Sequence, residues 1–209
     1  MENKEFRFDP IEHRYWLGDE EMPGVTKIIA PLNDFSKVPK DVLQAKAQAG
    51  TDIHLTAKLW LDGTLDESSL AEGNKIALDL IVGWLYEQGY ESDLTSGKFG
   101  KLVEWENPTY HEKLKYGTTP DLVFDEAIVE LKTRTFKPYV DPVQLIAQAK
   151  CFPEWPPKSL WVLFVDIVNR KTTLHKAEDR NAWSMFRKLL EKLRYDQEIE
   201  ETIRKWKGK

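Results

Sequence analysis

The sequence predicts an α/β fold in which helices flank a central mixed β-sheet. Apolar residues recur at helical spacing in much of the chain up to Gly89 and again towards the C-terminus. Between these regions the pattern changes to alternating segments and continuous apolar runs, which are typical of strands. The predicted order is helices, strands, one helix, two strands and a final helix, and this order favours a sheet covered by helices.

The elements before the sheet are predicted as follows. Residues 5–17 alternate and predict a short hairpin, and residues 25–32 predict a short helix. A longer helical pattern runs over about 39–61. Ser69-Leu70-Ala71-Glu72 has the spacing of a capping box, and the helix that follows it is expected to end at Gly89.

The middle of the chain predicts the strands. Lys101–Trp105 alternates, and residues 122–131 form two apolar runs around a polar Asp-Glu pair that suits a tight hairpin turn. Asp141-Pro142 has the residue types of an N-cap and a first helical position, so a helix is expected from there to about Phe152. Residues 160–175 predict two further strands that turn back on each other.

All 209 residues are expected to form one domain, 1–209, because no repeat, low-complexity tract or Gly/Ser linker divides the chain. The core would carry an N-terminal hairpin and helix over about 1–35 and a C-terminal helix over about 178–209.

Composition and charge exclude several classes of protein. The single cysteine, Cys151, excludes a disulfide framework and a multi-cysteine metal site within one chain. No apolar stretch approaches the ~20 residues of a membrane span, and the charged N-terminus has no apolar run behind it. We therefore expect a cytoplasmic protein with no membrane partner. The net charge of −5 argues against coating nucleic acid by bulk charge but permits a local basic groove.

Three charged residues in the predicted hairpin form an unusual constellation. Glu130 and Lys132 are two positions apart on one strand and therefore project from the same face. Asp121 lies on the preceding strand, close to the position opposite Glu130. Because the flanking residues are strongly apolar, burying these charges without partners would be costly.

A divalent cation would resolve this conflict. Mg²⁺ binds carboxylate oxygens, waters and substrate phosphates, so Asp121 and Glu130 are candidate ligands. Lys132 would then pin or activate an attacking water, and the metal would lower the pKa of that water. This arrangement suits hydrolysis of a phosphodiester. The alternative is a solvated strand face with a cross-strand ion pair.

Pro120-Asp121 followed by Glu130-Leu131-Lys132 resembles the signature of the PD-(D/E)XK nuclease superfamily. Gly50-Thr51-Asp52-Ile53-His54 is similar to the Gly-x-x-x-His motif of its RecB-like branch, and Val143-Gln144-Leu145 to the glutamine motif of that branch. The resemblance implies a restriction-endonuclease-like core, His54 as an additional metal ligand and Gln144 beside the active site. Gln148 stands where the branch usually has tyrosine, and the four cysteines of its iron–sulfur members are absent.

Further residues are candidates around this site. Glu106 begins a stretch that resembles phage-type members, so it is a possible outer carboxylate; Glu104 shares its strand face and is the alternative. Four basic residues near the strand ends are candidates for contacts with DNA phosphates, with a plain polar loop as the alternative for each: Arg134, Lys137, Lys113 and Lys115.

The expected function is that of a Mg²⁺- or Mn²⁺-dependent deoxyribonuclease. His54, Asp121 and Glu130 would bind the metal, and Asp121, Glu130, Lys132 and Gln144 would form the catalytic set. The resemblance favours a phage-encoded exonuclease of DNA replication, recombination or repair, acting in the host cytoplasm. DNA is the expected partner, with a homo-oligomer or a single-strand annealing or binding protein as further possibilities. The alternatives are a catalytically inactive nucleic-acid- or protein-binding scaffold on the same fold and a structure-specific endonuclease. A nuclease that acts on RNA is a further alternative.

Overall fold

The computed structural model describes residues 4–91, 94, 96–154 and 156–208. The N-terminal part contains β1 (Phe6–Asp9), β2 (Arg14–Leu17), β3 (Glu20–Met22), α1 (Val25–Ile29), α2 (Lys40–Leu61) and α3 (Glu72–Glu87). The remainder contains β4 (Leu102–Trp105), β5 (Thr109–His111), β6 (Tyr116–Thr118), β7 (Leu122–Phe124), β8 (Ala127–Lys132), α4 (Asp141–Ala149), β9 (Ser159–Asp166), β10 (Lys171–Lys176) and α5 (Ala182–Lys207).

The central sheet has five strands in the order β10-β9-β8-β7-β4. Strands β8 and β9 are parallel and are joined through α4, whereas the other neighbours are antiparallel. The sheet is therefore mixed, with helices packed on it, and the predicted α/β class is confirmed. The turn at Asp125-Glu126 is confirmed as well, because Leu122 pairs with Val129 and Val123 with Ile128 across it.

The two faces of the sheet contribute to different hydrophobic clusters. Along β8, Ala127, Val129 and Leu131 belong to the cluster that includes residues of α2 and α3. Ile128 points to the opposite cluster, formed with α1, α4 and α5. Because side chains alternate along a strand, Glu130 and Lys132 lie on the same face as Ile128, towards α4.

The N-terminal strands form a separate three-stranded antiparallel sheet, β1-β2-β3, which extends the predicted hairpin by one strand. This sheet is fastened to the rest of the molecule where Gly24 and Gly117 form a parallel bridge. A Cβ atom on Gly117 would lie 2.2 Å from Cγ of Tyr15, so only glycine permits this close approach. Tyr15 is thereby held beside the loop that leads into β7.

Two predictions of helix caps were wrong. Ser69 does not cap α3, whose N-cap is Ala71; instead the side chain of Asp66 accepts a hydrogen bond from the backbone N–H of Ser68, and residues 67–69 form a 3₁₀ turn. The N-cap of α4 is Val140 and not Asp141. The Asp141 carboxylate is engaged by the preceding loop, where it accepts from the backbone N–H of Lys137 at 2.6 Å.

Three helix boundaries also differ from the prediction. The helix α3 ends at Glu87, and α4 ends at Ala149, after which i to i+3 hydrogen bonds continue as far as Phe152. The last helix begins at Ala182 and not near residue 178. No helix in the described part of the chain is long and apolar enough to cross a membrane.

Candidate metal centre

The hairpin β7–β8 brings two of the predicted carboxylates together. Extending the register of Leu122 with Val129 by one residue places Asp121 opposite Glu130. Both residues are buried, at 4% and 3% exposure. One oxygen of Asp121, Oδ2, accepts a hydrogen bond from the backbone N–H of Leu131 at 2.6 Å, which fixes the orientation of the carboxylate.

His54 reaches the same place from α2. Its Nδ1 lies 2.9 Å from Oε1 of Glu106 and 3.1 Å from Oδ1 of Asp121. One ligand atom from each of these three residues lies within 4.8 Å of the other two. The structure therefore assembles a compact donor set, which we call the three-ligand cluster: His54, Glu106 and Asp121.

Glu106 enters this cluster through an unusual backbone conformation. It follows β4 directly and has a φ of +43°, in the left-handed region that residues with a Cβ atom seldom adopt. Its own N–H donates to the backbone carbonyl of Asp121 at 3.0 Å. Such conformations persist where the surroundings fix them, often at functional sites. Here the turn aims the Glu106 carboxylate at His54.

Glu130 is held separately on both of its carboxylate oxygens. Oε1 accepts from Nζ of Lys132 at 2.8 Å and also from Nε2 of Gln144. Oε2 accepts from Nε2 of Gln148 at 2.9 Å. The two glutamines are four residues apart on α4 and so share one face of that helix. Gln144, which the resemblance implies beside the active site, thus contacts Glu130, and the contact of Gln148 was not predicted.

Crowding of buried charges determines the protonation of the cluster. Burial and then the neighbouring Asp121 carboxylate raise the pKa of Glu106 to about 7. Burial alone would lower the pKa of His54, but Asp121 and then Glu106 outweigh it and hold that pKa well above its usual range. The metal-free cluster therefore retains protons near neutral pH.

Glu130 and Lys132 form a charged pair beside the cluster. Burial and then Asp121 raise the pKa of Glu130. Burial would lower the pKa of Lys132, but Glu130 and then Asp121 outweigh it and raise that pKa, so Lys132 is an ammonium. For Asp121, burial would raise the pKa, but His54 and then Lys132 outweigh this and lower it.

An open cavity of about 490 Å³ lies over these residues. The residues that line it include Lys46, Gly50 and Thr51 of α2, and His13 of the turn between β1 and β2. A neighbouring cleft of about 650 Å³ shares His13 with this cavity and continues along the N-terminal sheet to α5. The two cavities also share Tyr15 and Thr26, and together we call them the groove.

The hydroxyl of Tyr15 forms part of this groove and lies 3.0 Å from Oγ1 of Thr119. Burial raises the pKa of Tyr15, so its hydroxyl stays protonated and is available as a hydrogen-bond donor.

The basic residues predicted to contact DNA are mostly engaged with the protein. Arg134 pairs with the buried carboxylate of Asp141 through two nitrogens. Nζ of Lys137 donates to Oδ1 of Asn33 at 2.9 Å. Lys115 forms a partly exposed ion pair with Glu20 at 2.6 Å. Lys113 lines a different cavity, at the C-terminal end of α4.

Two residues that the sequence did not single out, a lysine and a histidine, face the site instead. Lys46 and His13 line the site cavity, and among the described residues neither has a hydrogen-bond or ion-pair partner. His13 lies in the turn with a φ of +50° and contacts Phe8 edge-on. No signal in the sequence marks either residue, because α2 and the turn approach each other only in the folded molecule.

No protein-family model matches this chain, and no curated protein was found to match it.

Proposed function

We propose that this protein is a metal-dependent nuclease that hydrolyses phosphodiester bonds in DNA, with a centre of the PD-(D/E)XK type. One observation carries the proposal: the three-ligand cluster lies beside a Glu130–Lys132 pair at the base of an open cavity. Carboxylates, an imidazole and an ammonium in this arrangement suit metal-assisted hydrolysis of a phosphate ester.

The donor set suits a hard or borderline divalent cation. Carboxylate oxygens suit Mg²⁺ and Mn²⁺, and the imidazole of His54 favours Mn²⁺ of these two. Three buried or half-buried carboxylates crowd the site, and two of them have raised pKa values, which is the electrostatic situation that a cation relieves. The residues that would hold the ion are His54, Asp121 and Glu106, whereas Glu130 is already bound by its neighbours.

When bound, the ion supplies Lewis-acid stabilisation of negative charge on the phosphate and lowers the pKa of water. The ammonium of Lys132, 2.8 Å from Glu130, is placed to orient the attacking water and to stabilise developing charge. Glu130, with its raised pKa, is the candidate proton acceptor. Water adds to phosphorus as the bond to the 3′ oxygen breaks, which leaves a 5′-phosphate and a 3′-hydroxyl, as the resemblance implies.

Lys46 and His13, which both line the cavity, are proposed to bind the substrate backbone. A lysine without a protein partner loses no existing ion pair when it binds a phosphate. On the resemblance of the sequence motifs, we propose more specifically an exonuclease of DNA replication, recombination or repair, encoded by a phage and acting in the cytoplasm of the host. Nothing in the described part of the chain resembles a separate module that reads base sequence.

The proposal is tested by incubating the protein with end-labelled linear duplex, linear single-stranded DNA and closed circular DNA, in Mg²⁺, Mn²⁺ or EDTA. We expect linear substrate to be degraded only with metal, and Lys132→Met and Asp121→Asn to abolish the activity. Lys158→Met is the matched control, since Lys158 also pairs with a glutamate, Glu126, but at the other end of the sheet.

Cutting of closed circles would identify an endonuclease. If folded protein cleaves none of these substrates, the proposed nuclease activity is wrong, and a binding scaffold becomes the better hypothesis.

A further inference from the structure

The last helix, α5, extends beyond the body of the protein. Its first half is anchored by Ala182, Phe186 and Leu190, which are buried in the cluster shared with α1 and α4. From residue 197 to residue 207 every position is exposed. The second half of this 26-residue helix is therefore largely exposed to solvent.

This free half carries an apolar stripe. Tyr195, Ile199, Ile203 and Trp206 are 63%, 40%, 43% and 77% exposed. At 100° per residue their spacing places them within about 80° of the helix circumference, along about 16 Å of its length. Single exposed apolar residues are ordinary, but four on one helix face form a patch of the kind found at interfaces.

The charges beside the stripe are arranged in two blocks. Glu198, Glu200 and Glu201 come first, and Arg204, Lys205 and Lys207 follow. Glu198 and Lys205 are seven residues apart and so border the same edge of the stripe. In the described part of the chain, neither side chain has a hydrogen-bond or ion-pair partner.

We propose that this stripe is an interface with a second copy of the same chain, formed by antiparallel pairing of the two helices. With Ile199 opposite the partner's Ile203, Tyr195 lies opposite the partner's Trp206. The same register brings Glu198 next to the partner's Lys205, and twofold symmetry repeats each contact. A parallel pair would place the acidic blocks level with each other, so the charge order selects the antiparallel arrangement.

The charge pattern also favours a protein partner over DNA. The acidic block lies within the length of the stripe and would repel phosphates. Gln197, which lines the groove leading to the candidate metal centre, lies on the opposite side of α5 from the stripe. Pairing through the stripe therefore leaves the groove open. Because the stripe lies outside the groove, pairing does not depend on the proposed nuclease function.

The test is the molecular mass in solution, measured by sedimentation equilibrium from about 1 µM to about 200 µM, because a small interface of this kind gives weak dimers. We expect a reversible monomer–dimer equilibrium. Glu198→Lys breaks an attractive contact twice and replaces it with repulsion, so it should weaken dimerisation about tenfold. Lys205→Glu should have the same effect, and the double variant Glu198→Lys/Lys205→Glu should restore dimerisation.

Glu201→Lys is the matched control, because it makes the same charge change on the far side of the helix. Its dimerisation should be unchanged. A monomer at every concentration would overturn the inference. It would also be overturned if Glu198→Lys and Glu201→Lys weakened dimerisation equally, or if the double variant failed to restore dimerisation. Binding of DNA that is lost on Ile199→Glu, by a protein that stays monomeric, would also overturn it.

Discussion

The protonation of the three-ligand cluster predicts that the metal-free protein loses stability as pH rises from about 5 to about 8. Glu106 has an ordinary pKa of 4.5 and a pKa of about 7 in the folded protein. The pKa of His54 is likewise raised above 6.5. Both groups bind protons more tightly when folded, so their stabilising contribution is complete at low pH and disappears as pH rises through the folded-state values.

The size of the effect follows from Glu106. A pKa that moves from 4.5 to about 7 corresponds to ~3 kcal/mol, and partial exposure and relaxation reduce this to about 1–3 kcal/mol. For a chain of this length 1 kcal/mol shifts the midpoint of thermal unfolding by about 2–4 °C. Asp121 has a lowered pKa and acts in the opposite direction, but only at acid pH below its ordinary value of 3.8.

The assay is thermal unfolding in EDTA across this pH range, for the parent protein and Glu106→Gln. The glutamine stays neutral at every pH. As pH rises over this range, the free energy of unfolding of the variant should therefore fall by about 1–3 kcal/mol less than that of the parent. Mn²⁺ competes with protons for the same atoms, and its stabilising effect should therefore grow with pH. A metal-free stability that rises with pH, or an equal loss in Glu106→Gln, would refute the reasoning.

The remaining predictions each concern a single residue. Gly117→Ala should destabilise the protein by about 3 kcal/mol or more in chemical denaturation, because the added Cβ would collide with Tyr15. Gly83→Ala on α3 should instead stabilise the protein by about 0.5–1 kcal/mol, because its Cβ would meet nothing within 4 Å. Cys151, buried with a pKa raised to about 12, should react with a thiol reagent only after unfolding. Gln148→Leu should leave Oε2 of Glu130 without a partner, reduce DNA cleavage and preserve Mn²⁺ binding.

Each of these predictions has a definite contrary result. Equal stability of Gly117→Ala and the parent would mean that the N-terminal sheet is not fastened as described. Rapid labelling of the folded protein would contradict the burial of its thiol. Full cleavage by Gln148→Leu would show that holding one oxygen of Glu130 does not matter for the reaction.

The central sheet was predictable because its signals are local. The runs 122–124 and 127–131 are short, apolar and separated by a turn, so their pairing follows from the sequence. The same register places Asp121, Glu130 and Lys132 together, and this part of the site was derived from strand periodicity. Ser69 does not cap α3 because residues 67–69 form a separate 3₁₀ turn, which Asp66 caps, and α3 begins only at Glu72.

The rest of the site depends on approaches between distant elements. His54 and Gln144 were placed only through resemblance, since nothing in the sequence brings α2 or α4 to the hairpin. The contact of Gln148 with Glu130 and the left-handed backbone of Glu106 have no sequence signal at all. Arg134 could not be recognised as the partner of Asp141, because a contact between a loop residue and the first residue of a helix leaves no periodic signal in the sequence.

The most direct test of the account is a Mn²⁺ titration of the purified protein, followed by the electron paramagnetic resonance signal of free Mn²⁺. We expect saturable binding that Asp121→Asn abolishes, that His54→Gln and Glu106→Gln weaken, and that Lys132→Met retains. No binding by the folded protein, or binding that Asp121→Asn leaves unchanged, would contradict the assignment of this cluster as a metal centre.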